Sequence, residues 1–277
     1  MPFRFSKMHG AGNDFVVLDR RVDTTLPDEA TLRRMGDRHF GIGFDQLLSI
    51  ERPRSPGALA SYRILNQDGS LAGQCGNGAR CVAHWLVQSG ATADTHFHLD
   101  SPAGLIAVRH GNEVYSLDMG LPQFEPAAIP LLAEAETLLY GFPLDGQQRF
   151  FSAVSMGNPH AVFRVDDVQA APVARWGAAV QASNVFPEGV NVGFAEVLDS
   201  GNIRLRVFER GVGETLACGS GACAAAVSLM RQGLLARSVA VHLPGGTLMI
   251  DWPDETAPVT MTGPAVWVFD GEWPDDR

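Results

Sequence analysis

Two cysteines stand in matching surroundings, in "QCGNGARC" (74–81) and "ACGSGACA" (217–224), with Cys218 falling 143 positions after Cys75. A cysteine followed by Gly-x-Gly at the start of a helix is a chemical device. The first peptide N–H groups of a helix have no internal partner and sit at the positive end of its dipole, so they bind a carboxylate and stabilise a thiolate. Gly76 and Gly78 in the first segment, and Gly219 and Gly221 in the second, let a ligand approach the backbone closely. One such thiol could serve as a nucleophile. Two, each on its own copy of the element, suit stereoinversion at a carbon bearing an acidic hydrogen, where a base works on one face and an acid on the other. Helix starts aimed at the substrate carboxylate would also stabilise the charge that grows as the α-proton leaves.

The elements that must position these thiols are readable from periodicity. After Cys75, Ala79, Val82, Ala83, Leu86 and Val87 follow helical spacing and Gly90 supplies a stop. After Cys218, the run Ala222–Met230 is apolar almost all round, as expected of a helix buried on every side, and Gly233 ends it. Most of the remaining chain alternates as short strands, from "RFSKM" and "FVVLD" to "TLMIDW" and "VWVFD". Further pieces recur in the same order at offsets of roughly 143–146: "GAGNDF" with "SMGNPH", "GFDQLL" with "GVNVGF", and "YRILNQDG" with "LRVFERGV". Collinear echoes predict two similar halves, residues 1–118 and 119–262. The Pro-containing stretch 119–130 links them, and the final segment 263–277 returns to the first half as an extra strand.

Bulk properties describe a globular chain in which disorder is not expected. The 277 residues are 45% apolar and 19% charged, enough for two core-bearing domains. A net charge of −10 without basic runs argues against nucleic-acid or anionic-membrane partners. No signal-like or membrane-spanning apolar window is present, so a cytoplasmic location is expected. The spacings Cys-x5-Cys and Cys-x4-Cys fit structural zinc poorly, and disulfides are not expected in a cytosolic chain; no metal is predicted. Cys81 and Cys223 are read as packing residues on the helix faces, and six of the eight histidines show no ligand grouping.

These residues carry a resemblance to the diaminopimelate epimerase family over nearly the whole chain. It rests on "KMHGAGNDFVVLD", "DRHFGIGFDQLL", "NQDGSLAGQCGNGARC", "VSMGNPHAV", "VNVGF", "RVFERGVGETLACGSGACAAAV", "LPGG" and "MTGPAVWVFDG", in the family's order. The resemblance implies an α/β (α+β) fold of two pseudo-symmetric domains, each a curled, mostly antiparallel sheet around a central helix. It also implies a homodimer, and a reaction with no cofactor that interconverts LL- and meso-2,6-diaminopimelate. By the same resemblance Cys75 and Cys218 are the catalytic pair, and Gly76, Asn77, Gly219 and Ser220 cradle the reacting carboxylate. Asn66, Asn158, Asn191 and Arg210 recognise the distal amino-acid end, and Asn13 and Gln46 are further binding positions. His160 and Glu209 tune the thiols, Glu209 also being suited to a substrate ammonium. Phe269 stands where related sequences often carry a dimer-interface Tyr. The rival expectations are a proline or hydroxyproline racemase, which lacks a two-headed substrate to engage this polar set, and a non-catalytic anion-binding protein, which has no need of duplicated thiols.

Overall fold

The computed structural model describes residues 2–73, 75–111 and 114–274, so Gln74 of the first cysteine motif lies outside the described residues. The chain divides into two units, Met1–Leu117 with Gly263–Arg277, and Asp118–Thr262.

In the first unit the strand Phe3–Gly10 pairs antiparallel with both Asn13–Asp19 and Val266–Trp273. Asn13–Asp19 runs parallel to Gln46–Glu51, which is antiparallel to Ala58–Asn66; the latter is parallel to His96–Ser101, which turns back into Gly104–Gly111. Helix α1 (Glu29–Gly36) connects the first parallel pair, and helix α2 (Gly76–Gln88) the second. A parallel pair cannot be joined by a tight hairpin, and a crossover helix is the usual solution. Strand "FVVL" is apolar without alternation because both its faces are covered. Val16 and Leu18 pack with Leu32 and Met35 of α1. Phe15 and Leu48 instead crowd Gly78 of α2.

The turn that delivers Asn13 is tight. Ala11 and Gly12 both have positive φ (52° and 83°) between the paired residues Gly10 and Asn13, the signature of a two-residue hairpin whose twist matches its strands. Glycine fits this conformation freely; Ala11 adopts it at a cost of roughly 1–2 kcal/mol.

The second unit repeats the scheme. Gln147–Ser155 is antiparallel to Pro159–Arg164, which is parallel to Asn191–Asp199; that strand is antiparallel to Asn202–Glu209, itself parallel to Ser238–Leu243, which turns back into Gly246–Asp251. Helix α3 (Val173–Gln181) and helix α4 (Gly219–Arg231) make the two crossovers. Phe151, Phe163, Trp176 and Phe194 fill the α3 side. On the other side α4 is almost wholly buried, and Ala222 through Val227 expose nothing. Register repeats as well: Phe15 pairs with Gln46 in the first unit, and His160 with Asn191 in the second. The expected α/β architecture with pseudo-symmetric halves is the one observed.

Two crossover helices, α1 and α3, went unforeseen from sequence. Asp28 caps α1, its carboxylate accepting the Thr31 N–H at 2.8 Å, and Pro172 precedes α3. Both signals were available, but each helix is too short for strong periodicity. Two short strands, Tyr140–Leu144 and Gly213–Thr215, also escaped the pattern.

Candidate active site

Each cysteine occupies the N-cap of the longer crossover helix of its unit, in extended backbone (φ −150° for Cys75, −122° for Cys218). The next two residues, Gly76 and Asn77 or Gly219 and Ser220, are the first of the helix, so their N–H groups lie at the positive end of its dipole. What surrounds the two sulfurs differs.

Around Cys75, which is half-buried, the Gly78 N–H donates to Sγ at 3.3 Å, and the thiol reaches Asn13 Oδ1 at 3.5 Å. Asn13 is fixed at both ends of its amide. Its Nδ2 donates to Asp45 at 2.7 Å, and its Oδ1 accepts from Asn77 Nδ2 at 3.3 Å. Asn77 in turn accepts from Arg80 Nη2 at 2.8 Å. Gln46 and Asn66 face each other across paired strands, with Gln46 Nε2 donating to Asn66 Oδ1 at 3.0 Å and Asn66 donating on to Ser70.

Asp14, next to Asn13, bonds Lys7 at 2.5 Å and Arg38 at 2.8 Å, and Arg38 also reaches Asp45 at 2.6 Å. Burial opposes the charge on Asp14, but the hydrogen bonds from Arg38 and Lys7 outweigh it and hold the carboxyl at about 2. Lys7, Asp14, Arg38 and Asp45 all lie in the quoted motifs yet were not singled out. Charged residues clustered within Gly-rich segments were the signal that could have found them.

Around Cys218, only 4% exposed, the thiol donates to Glu209 Oε2 at 3.1 Å, while Glu209 Oε1 accepts from Thr215 at 2.5 Å. Burial, then the charge and hydrogen bond of Glu209, push this thiol well above the usual cysteine range; the Gly221 N–H and Ser220 pull the other way and lose. A helix start lowers a thiol pKa only when burial and nearby anions do not prevail. At Cys218 burial and Glu209 prevail over the helix start, and the thiol is held in its protonated form. Glu209 thus bridges the sulfur and the Thr215 hydroxyl.

His160, 1% exposed, places Nε2 at 2.9 Å from Asn158 Oδ1 and 3.1 Å from Ser220 Oγ. Burial, reinforced by the charge of Arg210, lowers its pKa to about 3, so the ring is neutral. Because Asn158 Oδ1 only accepts, Nε2 carries the hydrogen. Asn158 Nδ2 also donates to Ser220 Oγ at 3.3 Å, which leaves the hydroxyl hydrogen for Cys218 Sγ, 3.7 Å away. Asn191 Oδ1 accepts the backbone N–H of Arg210 at 2.8 Å. The exposed Arg210 side chain lies over Gly189 and donates to the Glu188 carbonyl at 2.6 Å. A Cβ at Gly189 would sit 2.6 Å from Arg210 Cδ, and its φ of +77° already favours glycine.

The structure thus brings Cys75, Asn13 and Asn77 together in the first unit, with Gln46 and Asn66 as a second pair there. In the second unit Cys218, Glu209, Ser220, His160 and Asn158 form one cluster, and Asn191 and Arg210 a neighbouring one. Phe269 lies apart from both groups, 47% exposed on the strand Val266–Trp273 and edge-on to Phe5 at 6.0 Å. Among the described residues no group of three or more His, Cys, Asp and Glu could hold a metal ion, and no helix is long and apolar enough to cross a membrane.

Comparison with known proteins gives the same answer from two directions. The chain is 59% identical over 272 residues to the diaminopimelate epimerase of Xanthomonas euvesicatoria pv. vesicatoria, covering 98% of this chain and 96% of the relative. It is 57% identical over 274 residues to that of Xylella fastidiosa strain M12, with the same coverage. Solved structures share the fold at low identity. A hydroxyproline epimerase from Agrobacterium vitis superposes with a TM-score of 0.71 at 16% identity, over 98% of this chain and 92% of that one. A Bacillus anthracis phenazine biosynthesis protein gives 0.69 at 16%, over 99% and 100%. The family model for diaminopimelate epimerase matches residues 5–125 and 152–268, and the chain belongs to the diaminopimelate epimerase family.

Proposed function

We propose that this protein epimerises LL-2,6-diaminopimelate to the meso form, and back, by proton transfer between two cysteines and the substrate α-carbon. The observation that carries the reading is the pair of cysteines at the N-cap positions of equivalent 13-residue helices in two units of equal strand order, within a chain of this family. One thiolate removes the α-proton and the other thiol delivers a proton to the opposite face, the roles exchanging with the isomer bound. Cys218 is the resting acid. Once it has given up its proton, Ser220 and the Gly221 N–H are there to stabilise the thiolate. Glu209 is placed to accept the proton when Cys218 must begin as base.

The N–H groups at Gly76 and Asn77, and at Gly219 and Ser220, bind the reacting carboxylate and stabilise the charge that develops on it. Asn66, Asn158, Asn191 and Arg210, with Asn13 and Gln46, recognise the remote amino-acid end; guanidinium and amide groups suit a zwitterion. His160, neutral, orients Ser220 and Asn158 rather than carrying charge. Acid and base both come from the chain, so the reaction as proposed draws on no cofactor. The working form is a cytoplasmic homodimer in which Phe269 contributes an apolar contact.

The test is proton NMR of the reduced protein with LL-diaminopimelate in D2O and no added cofactor, with a chiral assay of the product. Loss of the α-proton signal with appearance of the meso isomer supports the reading. Folded protein that exchanges proline or hydroxyproline but not diaminopimelate would overturn it.

A further inference from the structure

Position for position, residues 75–80 and 218–223 diverge at two places. Asn77 stands opposite Ser220, and Arg80 opposite Cys223. Arg80 is completely buried, an expensive location for a cation. Its Nε donates to the Pro264 carbonyl at 3.2 Å and its Nη2 to Asn77 Oδ1 at 2.8 Å. A Cβ on Gly10 would lie 3.2 Å from Nη2, so the backbone of the first strand also closes over the guanidinium. The Arg80 bond fixes which way the Asn77 amide points. With Oδ1 committed to Arg80, Nδ2 faces Asn13, and Asn13 presents oxygen to the Cys75 sulfur.

We infer that Arg80 is a positioning residue for Cys75: its buried guanidinium orients the Asn77–Asn13 amides against the sulfur and supplies the positive charge that favours the thiolate. The inference rests on the proposed role of Cys75 as a proton-transferring thiol. The two half-sites then differ in kind. Cys218 has an anion, Glu209, as hydrogen-bond acceptor, whereas Cys75 has a cation two amides away.

The other titratable groups near Cys75 do not replace this charge. Tyr62 and Cys81 are fully buried, and burial pushes both up, so they stay neutral; Arg80 is the group whose charge works against that rise at Cys81. Asp45, beyond Asn13, is met by Arg38, and Asp14 by Lys7 and Arg38. Two effects on Cys75 oppose each other when Arg80 is neutralised. Losing the cation disfavours the thiolate, while loosening Asn13 weakens a contact that only the thiol can use. The Asn13 contact is long, at 3.5 Å. A unit charge about 10 Å away, at an effective dielectric constant near 20, moves a pKa by about one unit, so the charge prevails.

The test follows the rate of Cys75 alkylation by iodoacetamide against pH, read by mass spectrometry of the Cys75 peptide in a Cys218→Ser background. Arg80→Met and Arg80→Gln should raise the midpoint by about one pH unit, a roughly tenfold loss of thiolate at neutral pH. Arg80→Lys, which keeps the charge, should stay within about 0.3 unit. Arg80→Gln retains donors for Asn77 and Pro264 and is the variant to use if Arg80→Met does not fold, as judged by circular dichroism. Folded neutral variants with an unchanged midpoint would overturn the inference, as would Arg80→Lys shifting as far as they do. Deuterium exchange by the otherwise wild-type protein tests the functional reading separately. An inactive protein whose Cys75 midpoint still moves would refute that reading and leave Arg80 as assigned.

Discussion

Cys75→Ser and Cys218→Ser should each lower epimerisation by at least about 10²-fold in the NMR assay, because a hydroxyl is too weak an acid and base to exchange roles near neutrality. Glu209→Gln should separate two effects. Removing the carboxylate charge lowers the Cys218 midpoint, measured by thiol-specific labelling in a Cys75→Ser background, yet turnover falls because the proton acceptor for Cys218 is gone. His160 makes a stability prediction with a definite sign. Its folded pKa of about 3 lies below the unfolded value of 6.5, so the unfolded chain binds the proton that the folded chain refuses. Stability contributed above pH 6.5 is lost as pH falls toward 3, and Asp14 adds a further loss between its unfolded 3.8 and about 2. Denaturant titrations at pH 7, 5.5 and 4.5 should show a fall that His160→Gln flattens. The cysteines and their helix starts were readable from residue type and spacing alone. Arg80 was not: an Arg inside a helical pattern reads as solvated surface, and only the closure of Gly10 and Pro264 over it shows otherwise.

Among the elements, α2 and α4 were foreseen from apolar spacing and their glycine stops, and each does begin directly after its cysteine. The collinear echoes also proved to mark equivalent places. Asn13 opens the strand Asn13–Asp19 and Asn158 immediately precedes its counterpart Pro159–Arg164, and Gln46 and Asn191 occupy the same register opposite Phe15 and His160. What the pattern concealed were α1 and α3, whose eight and nine residues span too few turns for periodicity to stand out. The start of α4 also shows why glycine recurs in both cysteine motifs. A Cβ on Gly221 would lie 3.1 Å from Val207 and 3.2 Å from both Cβ and Sγ of Cys218. Gly221→Ala should therefore cost roughly 1–3 kcal/mol of stability from overpacking, seen in thermal melts, and should lower kcat more than it raises KM.

For the whole molecule, the last strand matters as much as the first. Phe3–Gly10 has Val266–Trp273 on one side and Asn13–Asp19 on the other, and Trp273 packs against the cluster around Phe5 and Val16. A chain truncated before Gly263 would leave the first unit with an open strand edge, whereas the pairs Met249–Thr262, Ile250–Met261 and Asp251–Thr260 of the second unit are all retained. Limited proteolysis of that truncation should digest the first unit and spare a fragment near 118–262. The same arrangement sets an order of events on the ribosome. The second unit is contiguous and can fold once its own residues have emerged, but the first begins with the initial strand and must wait for the final one. The 145 intervening residues, 118 to 262, take roughly 7–30 s to synthesise at about 5–20 residues per second. During that interval the N-terminal half is an unfinished sheet, so chaperone capture during translation should concentrate there rather than on the half made last.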